Sequence, residues 1–477
     1  PAVPLVWAFC CALKWNLPTN SEPPTCPGCI KLAKQNAALE KRLAALEAKL
    51  QALTRAGKRQ AAPFSKAPPK SDPQKPGRKS GEDYGTKAFR RAPAVIDEVH
   101  HAPLPDRCPK CGGQTQQTHI ATQYQTEIPR RPIHRQFNIA VGRCTCCQAR
   151  VQGRHALQTS DALGCCASQL GAEAQATAVI LNKELGLSHG KVKRFFKSLF
   201  DISLSRGGSC QSTLRAAERL TGNYQAIVRH VQASPTLVAD ETGWRIGGHP
   251  AWLHTAACAD AAAYLVHAHR GFEAAALLIG AGYAGKLVHD GWSSYDRFLR
   301  AVHQTCLQHL IRRCSDLLLT ATGGAVHFPR QIKAILQTAL ALRDRRDAGR
   351  LAPSTVTRYA RDLQQQLLKL IAPIKTHAGN ERFAKHLWRY RDQVFTFLRK
   401  AGVDATNWRA EQALRPAVVN RKVWGGNRTA HGAAAQGVLS SVLSTARLRG
   451  VESLGFISQV LCSLPGQRPM LLAGPSG

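Results

Sequence analysis

Apolar residues recur along residues 30–53 in alternating steps of four and three positions. The seam consists of Leu32, Asn36, Leu39, Leu43, Leu46, Leu50 and Leu53. This heptad pattern predicts a leucine-zipper coiled coil, and the Asn at a core position favours one register of a parallel dimer. A helix packed on its own chain is the second interpretation, because so short a coiled coil is marginal alone.

The pattern changes twice before residue 233. Residues 54–99 begin with a stretch rich in Lys, Arg, Pro and Gly, which predicts a flexible basic linker. Residues 156–232 predict a helical domain that includes "AEAQATAVILNKELGL" and, after "SHG", the basic "KVKRFFKSLF". Helix, turn and basic helix could read DNA as a helix-turn-helix. Packing without a DNA role is equally open, since Phe195 and Phe196 look like core residues.

Strand-like runs follow over residues 233–315. They are "TLVADETG", "AWLHTAACA", "AAYLVHAH", "GKLVHDG" and "AVHQTC", with the helical "FEAAALLIG" before the fourth run. Three strands, a helix and further strands are the layout of a ribonuclease H-like domain. We therefore predict a multi-domain α/β protein whose catalytic core is a mixed five-stranded sheet with helices.

Helical periodicity returns over residues 316–400, in "QIKAILQTALALRDRRDAGRL" and "RYARDLQQQLLKLI". Such a length is far more than one crossover connection needs, so we predict a helical insertion in the core. It could grip DNA or close over the site. Residues 401–455 are expected to complete the core, and residues 456–477 to form a C-terminal tail.

Charge narrows the class of partner. The chain of 477 residues has 65 Lys and Arg against 30 Asp and Glu, a formal net charge of +35. Such an excess favours a polyanionic partner, most commonly nucleic acid, over the alternative of a merely basic soluble protein. No run reaches membrane-span length, and the apolar start lacks a basic leading region. We therefore expect a cytoplasmic protein without a signal peptide.

The cysteines fall partly into Cys-x-x-Cys pairs within residues 100–155. Cys108 with Cys111 and Cys144 with Cys147 supply four thiolates for a tetrahedral Zn²⁺, and Cys146 is a spare. Such pairs in a long chain favour metal binding in a reducing compartment over disulfides. A structural zinc site in a small β-domain is the main interpretation, and DNA contact by "PRRPIHR" is an added hypothesis.

Two carboxylates stand at strand ends in this reading. Asp240 is expected to end the first strand and Asp290 the fourth, so neighbouring strands would place them side by side. Two close carboxylates repel each other unless a divalent cation lies between them, which predicts Mg²⁺ near a phosphate. Glu241 follows Asp240 directly. Because side chains alternate along a strand, only one of the two can face the site, and we assign Asp240.

A two-metal site needs a third carboxylate, and Glu411 is the acid between Asp404 and Glu452. The cations around it suit a helix that approaches a phosphate. They are Arg409, Arg415, Arg421, Lys422 and Arg428, of which the last four are the candidate DNA-binding residues. The alternative is that Glu411 only pairs with Arg415 one helical turn on.

Several motifs together resemble the transposases of the insertion-sequence sixty-six (IS66) family over residues 30–455. They are "VADETGWRIGG", "LVHDGWSSY", "CLQHLIRR", "AEQALRPAVVNRKVWGGNR" and "SVLSTARLRG". The resemblance implies a leucine zipper, a zinc-binding domain and an Asp-Asp-Glu core interrupted before its Glu, matching Asp240, Asp290 and Glu411. It also implies binding to the terminal inverted repeats of a bacterial mobile element, and accessory proteins from that element.

The resemblance further implies a mechanism. Two Mg²⁺ or Mn²⁺ ions would activate water for strand cleavage and then a 3′-hydroxyl for attack on target DNA. The family's Cys-x-x-His, here Cys306 and His309, lies beside the active site, although core packing or a second zinc is open for Cys306. Asn407 precedes Glu411 by one turn, while Trp408 stands where relatives have a second Asn. We expect a homodimer or higher oligomer on double-stranded DNA, associated with the nucleoid.

Two other functions fit the same residues. One is a catalytically silent, DNA-binding remnant of a transposase. The other is a structure-specific ribonuclease H-like nuclease that cleaves without strand transfer.

Overall fold

The computed structural model divides the chain into two compact units, Pro1–Tyr124 and Gln125–Gly477. It describes the following residues: 27–28, 31, 35–40, 42–47, 93–103, 105–107, 109–120, 122–125, 131–163 and 170–472.

The described part of the first unit contains helical residues at 35–40 and 42–47. Leu39, Leu43 and Leu46 are 60%, 59% and 63% exposed on this segment. Leu32, Leu50 and Leu53 of the heptad seam and residues 54–91 of the basic linker lie outside the described residues. The helix is consistent with the heptad pattern, but the coiled coil stays a prediction.

The second unit contains seven strands and a larger number of helices in its described residues. The strands are β1 (Val141–Arg143), β2 (Arg150–Gln152), β3 (Thr236–Ile246), β4 (His249–Ala257), β5 (Ala262–His267), β6 (Lys286–His289) and β7 (Val302–Thr305). The α-helices are α1 (Ala172–Lys183), α2 (His189–Phe200), α3 (Arg206–Arg219), α4 (Thr221–Ala233), α5 (Phe272–Ile279), α6 (Leu307–Thr320), α7 (His327–Asp347), α8 (Pro353–Ile371), α9 (Ala378–Tyr390), α10 (Thr396–Arg399), α11 (Trp408–Trp424), α12 (Ala430–Leu448) and α13 (Ser453–Cys462).

The strands β3 to β7 form one mixed sheet with the order β5-β4-β3-β6-β7. β3 pairs antiparallel with β4 and parallel with β6, and β6 pairs parallel with β7. The expected order of elements along the chain, with three strands, helix α5 and then two further strands, is therefore confirmed. A mixed five-stranded sheet flanked by helices is compatible with the predicted ribonuclease H-like core.

The expectation that Asp240 ends its strand was wrong. β3 continues for six residues beyond Asp240 and turns into β4 at Gly247 and Gly248, both with positive φ. The antiparallel register with β4 runs on to Ile246 opposite His249, so the backbone of the extension is paired. The parallel pairing with β6 ends earlier, at Val238. Asp240 therefore lies where β3 loses one of its two neighbours.

Helices cover both faces of the sheet because its side chains alternate between two cores. Val238 and Val288 share one core with the helices from α6 to α9 and with α11. Leu237 and Leu287 face the other core, built with α1, α3 to α5, α12 and α13. Each such side chain contributes roughly 1.5–3 kcal/mol through burial. The predicted helical insertion over residues 316–400 is thus helical, and its core is continuous with that of the sheet.

The predicted tail from residue 456 needs correction. It begins inside helix α13, whose Ile457, Val460 and Leu461 are buried in the second core. Farther on, the backbone N–H of Leu471 donates to Oδ1 of Asn223 at 2.7 Å. Apolar residues at spacings of three and one bury one face of a helix, and this segment therefore belongs to the folded unit.

Helices α1 and α2 meet at a turn around Gly186, where φ is +75°. The hydroxyl of Ser188 accepts from the backbone N–H of Lys191 and caps α2. Phe196 is buried in a small core with Val192 and Leu181, as its apolar spacing predicts. The basic residues of α2 are exposed: Lys191, Lys193, Arg194 and Lys197. Recognition of DNA by this pair of helices stays a prediction.

His254 in β4 is 2% exposed, and its ring lies 3.1 Å from the backbone oxygen of His269. Burial lowers its pKa to about 4 from the ordinary 6.5. The unfolded chain therefore takes up a proton first as the pH falls below 6.5, and stability is lost between pH 6.5 and about pH 4.

We expect His254 to cost about 2 kcal/mol of unfolding free energy between pH 7 and pH 5. His254→Gln should remove that share of the acid sensitivity, as measured by urea unfolding at both pH values. His249→Gln is the control, because His249 is exposed at the start of the same strand. Equal acid sensitivity of the wild type and His254→Gln would contradict the expectation.

Candidate active site

Asp240 lies in β3, and Asp290 directly follows the neighbouring strand β6. Val238 of β3 is paired with Val288 of β6, and each aspartate follows its valine by two residues. Burial, and next the charge of Asp290, raise the pKa of Asp240, so the two carboxylates lie within electrostatic range of each other. This proximity was expected from the sequence, although β3 extends farther than expected.

The loop after Asp290 is held closely. The backbone N–H of Trp292 donates to Oδ1 of Asp290 at 2.9 Å, and Gly291 between them has φ +86°. A Cβ at Gly291 would lie 3.3 Å from Cε1 of His386 on α9. The positive φ favours glycine here, and the close approach of His386 leaves little room for a side chain. The insertion reaches the loop after Asp290 at this point.

Glu241 serves a different purpose from Asp240. Its side chain is 2% exposed and forms an ion pair with Arg270 at 2.7 Å. The hydroxyl of Tyr295 donates to its other oxygen at 2.7 Å. The Arg270 guanidinium lies over the rings of Trp252 and Trp292, 4.7 and 3.8 Å from their centroids. This network could not be predicted from the sequence, because its members are distant in sequence and follow no recognisable spacing.

Glu411 lies in the first turn of α11, where its backbone N–H donates to the oxygen of Asn407 at 3.1 Å. The segment before this helix is tied to the core by the N–H of Leu307, which donates to the oxygen of Ala405 at 3.0 Å. The returning chain thus carries Glu411 beside the start of α6.

The far end of α11 is fixed to the extension of β3. Arg421 donates to the backbone oxygen of Gly243. Beyond the helix, Oδ1 of Asn427 accepts from the indole N–H of Trp244 at 2.7 Å, and the N–H of Asn427 donates to the oxygen of Arg245 at 2.9 Å. The residues of β3 beyond Asp240 therefore orient the helix that bears Glu411.

The three carboxylates are close enough to influence one another. Burial, then the charges of Asp290 and Glu241, and finally that of Glu411 raise the pKa of Asp240 to about 8. In the described part of the chain, one group of potential metal ligands has its ligand atoms within 4.8 Å of one another, and it does not include these carboxylates. The ligand atoms of the three carboxylates are thus not all within that distance of one another.

Cys306, His309 and Asn407 border Glu411. Nδ1 of His309 lies 3.7 Å from Oε1 of Glu411. Cys306 is fully buried at the start of α6, and burial raises the pKa of its thiol to about 11. Asn407 is also fully buried, and neither polar atom of its side chain has a hydrogen-bond partner. Buried amides are rarely left without a partner, and an ordered water is the usual one.

The candidate DNA-binding cations differ in their surroundings. Arg415, Lys422 and Arg428 are exposed, whereas Arg421 is half-buried against β3. The ion-pair partner found for Glu411 in the described part of the chain is His309, and Arg415 is not paired with it there. The interpretation of Glu411 as a mere helix-surface partner of Arg415 therefore has no support in the geometry.

The second cysteine pair forms the turn between β1 and β2. Hydrogen bonds from the backbone of Cys147 and then of Cys146 lower the pKa of the Cys144 thiol. Backbone N–H groups that converge on a thiolate are suited to a metal ligand. Cys111 is exposed in the first unit, and Cys108 lies outside the described residues, so the four-cysteine site stays a prediction.

In the part of the chain that the structure describes, no helix is long and apolar enough to cross a membrane. Comparison with protein families gives a match over residues 167–435 to the model described as "Transposase IS66 family". This match covers more than half of the chain and includes all three carboxylates. A search of curated proteins gives no match.

Proposed function

The chain belongs to the IS66 family of transposases, and from that premise we propose that it binds the terminal inverted repeats of a mobile element, cleaves them and joins them to target DNA. The observation that supports this proposal is that β3 and β6 pair up to two residues before Asp240 and Asp290, and that the charges of Asp290 and Glu411 both act on Asp240. Such a set of acids suits phosphoryl transfer assisted by divalent cations.

Asp240, Asp290 and Glu411 are the residues that we assign to two Mg²⁺ or Mn²⁺ ions. Carboxylate oxygens are the ligands these ions prefer, and a cation would offset both the burial and the neighbouring negative charges that raise the pKa of Asp240. When bound, such ions activate the attacking oxygen and stabilise charge on the phosphate. Asp240 lies in β3, Asp290 directly follows β6, and α11 supplies Glu411.

The surrounding residues support this set. The pair of Glu241 with Arg270 fixes β3 directly after Asp240. His309, beside Glu411, is placed to meet a phosphate or a leaving oxygen. Asn407 and Cys306 are buried next to Glu411, and the amide of Asn407 can hydrogen-bond an ordered water. We assign these residues to positioning rather than to the chemical step.

Double-stranded DNA is the proposed partner, because the chain carries a formal charge of +35. Arg415, Lys422 and Arg428 are exposed on or next to the helix that bears Glu411, where they can contact phosphates near the cleaved bond. We assign Arg421 to the same group of DNA-binding cations, although its hydrogen bond to Gly243 also gives it a structural role. These cations would attract the DNA phosphates whatever the base sequence. Recognition of a particular sequence would require other residues that contact the bases.

Oligomerisation is proposed to run through the heptad segment. Leu39, Leu43 and Leu46 expose about three fifths of their surface, and pairing of two copies would bury them. Accessory proteins of the same element and a bacterial, nucleoid-associated cytoplasmic location belong to the same proposal.

The function is tested by incubating the purified protein with Mg²⁺ and a duplex that contains an end of the element. We expect specific binding, nicking at the end and joining to a second duplex. Binding without nicking would identify a silent DNA-binding remnant, and nicking without joining would identify a nuclease. Either outcome would overturn the proposal.

The cysteine pairs are proposed to hold one structural zinc through Cys108, Cys111, Cys144 and Cys147. Cys144→Ser should lower the zinc content by one ion per chain and weaken binding to element ends, because a thiolate ligand is lost and the local fold depends on the metal. Elemental analysis measures the first effect and gel shift the second. Cys146→Ser is the matched control from the same turn and should keep its zinc. Equal zinc in both variants would exclude Cys144 as a ligand.

A further inference from the structure

Three side chains that could bind a metal meet where the end of β4 lies beside the start of β3. His230 lies near the end of α4, Cys258 follows β4, and Asp260 lies in the turn between β4 and β5. Their ligand atoms all lie within 4.8 Å of one another. Nε2 of His230 is 2.9 Å from Oδ1 of Asp260, and Sγ of Cys258 is 3.3 Å from the same oxygen.

The surroundings hold these groups in place. The backbone N–H of Cys258 donates to the oxygen of Ala261 at 2.9 Å and closes the turn. Arg449, directly after α12, donates to Oδ2 of Asp260 at 2.7 Å. This contact orients the carboxylate and leaves Oδ1 directed at the imidazole and the thiol. A charged partner on the far oxygen is the usual way in which a metal-binding carboxylate is held in position.

We propose that His230, Cys258 and Asp260 form a zinc site within the catalytic unit, separate from the proposed four-cysteine site. One thiolate, one imidazole and one carboxylate suit Zn²⁺, whereas Mg²⁺ and Ca²⁺ prefer oxygen ligands alone. Cys258 is 7% exposed, while the side chains of His230 and Asp260 are 39% and 43% exposed. Water can therefore complete a tetrahedral set.

The distances fit this ion after a small adjustment. Zinc bonds of about 2.0 Å to nitrogen and oxygen and about 2.3 Å to sulfur imply tetrahedral ligand separations of about 3.3 Å for N···O and about 3.5 Å for S···O. The observed separations of 2.9 and 3.3 Å are those of hydrogen bonds, so the imidazole and the thiol each need to move from the carboxylate by only a few tenths of an ångström. The imidazole nitrogen and the thiol sulfur lie within 4.8 Å of each other.

A metal here would tie the helical region to the catalytic sheet. Helix α4 leads through Ser234 and Pro235 directly into β3, which carries Asp240. The other two ligands belong to the turn between β4 and the edge strand β5. Zinc would thus link the end of α4, just before β3, to the turn between β4 and β5. Arg449 would add the end of α12 through its contact with Asp260.

The test measures zinc per chain in the full-length protein after equilibrium dialysis against zinc and removal of free metal. Cys258→Ser should lose one ion per chain relative to the wild type. Serine keeps the hydrogen bond to Asp260, so the fold should survive, which circular dichroism checks. His230→Gln should lose the same ion. Cys210→Ser is the control, because Cys210 is a half-buried thiol on α3 outside the cluster.

The two zinc proposals fail separately. If both hold, Cys258→Ser and Cys144→Ser each lose one ion, and the double variant loses two. If only the new site exists, Cys258→Ser removes all bound zinc and Cys144→Ser removes none. If Cys258→Ser and His230→Gln keep the zinc content of the wild type, the cluster is only a set of hydrogen bonds and the proposal is overturned. A variant that misfolds is replaced by Asp260→Asn, judged by the same loss.

Discussion

Asp240→Asn and Asp290→Asn are each expected to lower cleavage of an end-containing duplex by about a hundredfold to a thousandfold. Removing one of two facing carboxylates removes a ligand from the proposed metal pair. A loss of several kcal/mol of charge stabilisation in the transition state corresponds to a rate effect of that size. Binding to the same duplex should persist, because these acids repel phosphate rather than attract it.

The same variants should fold at least as well as the wild type. Burial and neighbouring carboxylates raise the pKa of Asp240, which means that its charge is unfavourable in the folded chain. A neutral amide of equal size removes that repulsion. Circular dichroism and the melting temperature check this point, and they distinguish lost chemistry from lost structure.

Asp344→Asn is the control for this prediction. Asp344 forms an exposed pair with Arg343 on α7, so its replacement should leave cleavage and binding unchanged. If Asp240→Asn or Asp290→Asn cleaves at a rate near that of the wild type, the pair of aspartates is not the catalytic centre.

The sequence predicted most of the sheet because local signals agreed with one another. Alternating apolar runs marked all five strands, and helix α5 fell between β5 and β6 as expected. The end of β3 could not be foreseen. Residues 241–246 lack a continuous apolar run, and their strand conformation depends on the register with β4 and on contacts with Asn427. Such pairing is non-local and leaves little trace in the spacing of residues.

The site divides in the same manner. The proximity of Asp240 and Asp290 could be predicted, since each follows an apolar run and these two runs belong to the parallel neighbours β3 and β6. The network of Glu241 with Arg270 and Tyr295 could not, because it joins three elements. The cluster around Asp260 escaped notice for the same reason, since His230 lies on a helix before the sheet. Tertiary contacts between residues that have no fixed spacing in the sequence cannot be predicted from the sequence pattern.

The insertion illustrates a third kind of difference. Its helices were predicted from their periodicity, and the sequence implied a separate domain. Instead, buried residues such as Ile332 and Leu363 join the same core as Val238 and Leu253. The apolar face of a helix indicates that the face is buried, but it does not identify the element that packs against it. The consequence is functional, since α9 thereby comes to lie beside the loop that follows Asp290.

Glu411→Gln is the second variant with a large expected effect, and it tests the ligand that returns across the insertion. Gln keeps the size and hydrogen-bonding capacity of Glu but removes its charge. We expect cleavage to fall by about a hundredfold or more, because one metal ion loses a charged ligand. End binding should hold or tighten, since an acid that repelled phosphate is gone.

Arg415→Gln and Asp404→Asn separate this expectation from its alternatives. Arg415 is exposed one turn after Glu411 and should contribute to DNA affinity. Arg415→Gln should therefore bind DNA more weakly and with a smaller dependence on salt concentration. Cleavage of the bound DNA should continue. Asp404 is held by Arg409 at 3.1 Å, and its replacement should leave cleavage in place.

The decisive measurement is nicking of a saturating, end-containing duplex by each variant, with binding measured in parallel. If Glu411 were only a partner on the helix surface, its loss would cost a few tenths of a kcal/mol of stability and leave nicking intact. Robust nicking by Glu411→Gln together with its loss in Asp404→Asn would move the third ligand to Asp404. We expect the reverse, because Glu411 lies beside His309 and its charge acts on Asp240, whereas Asp404 is engaged by an arginine.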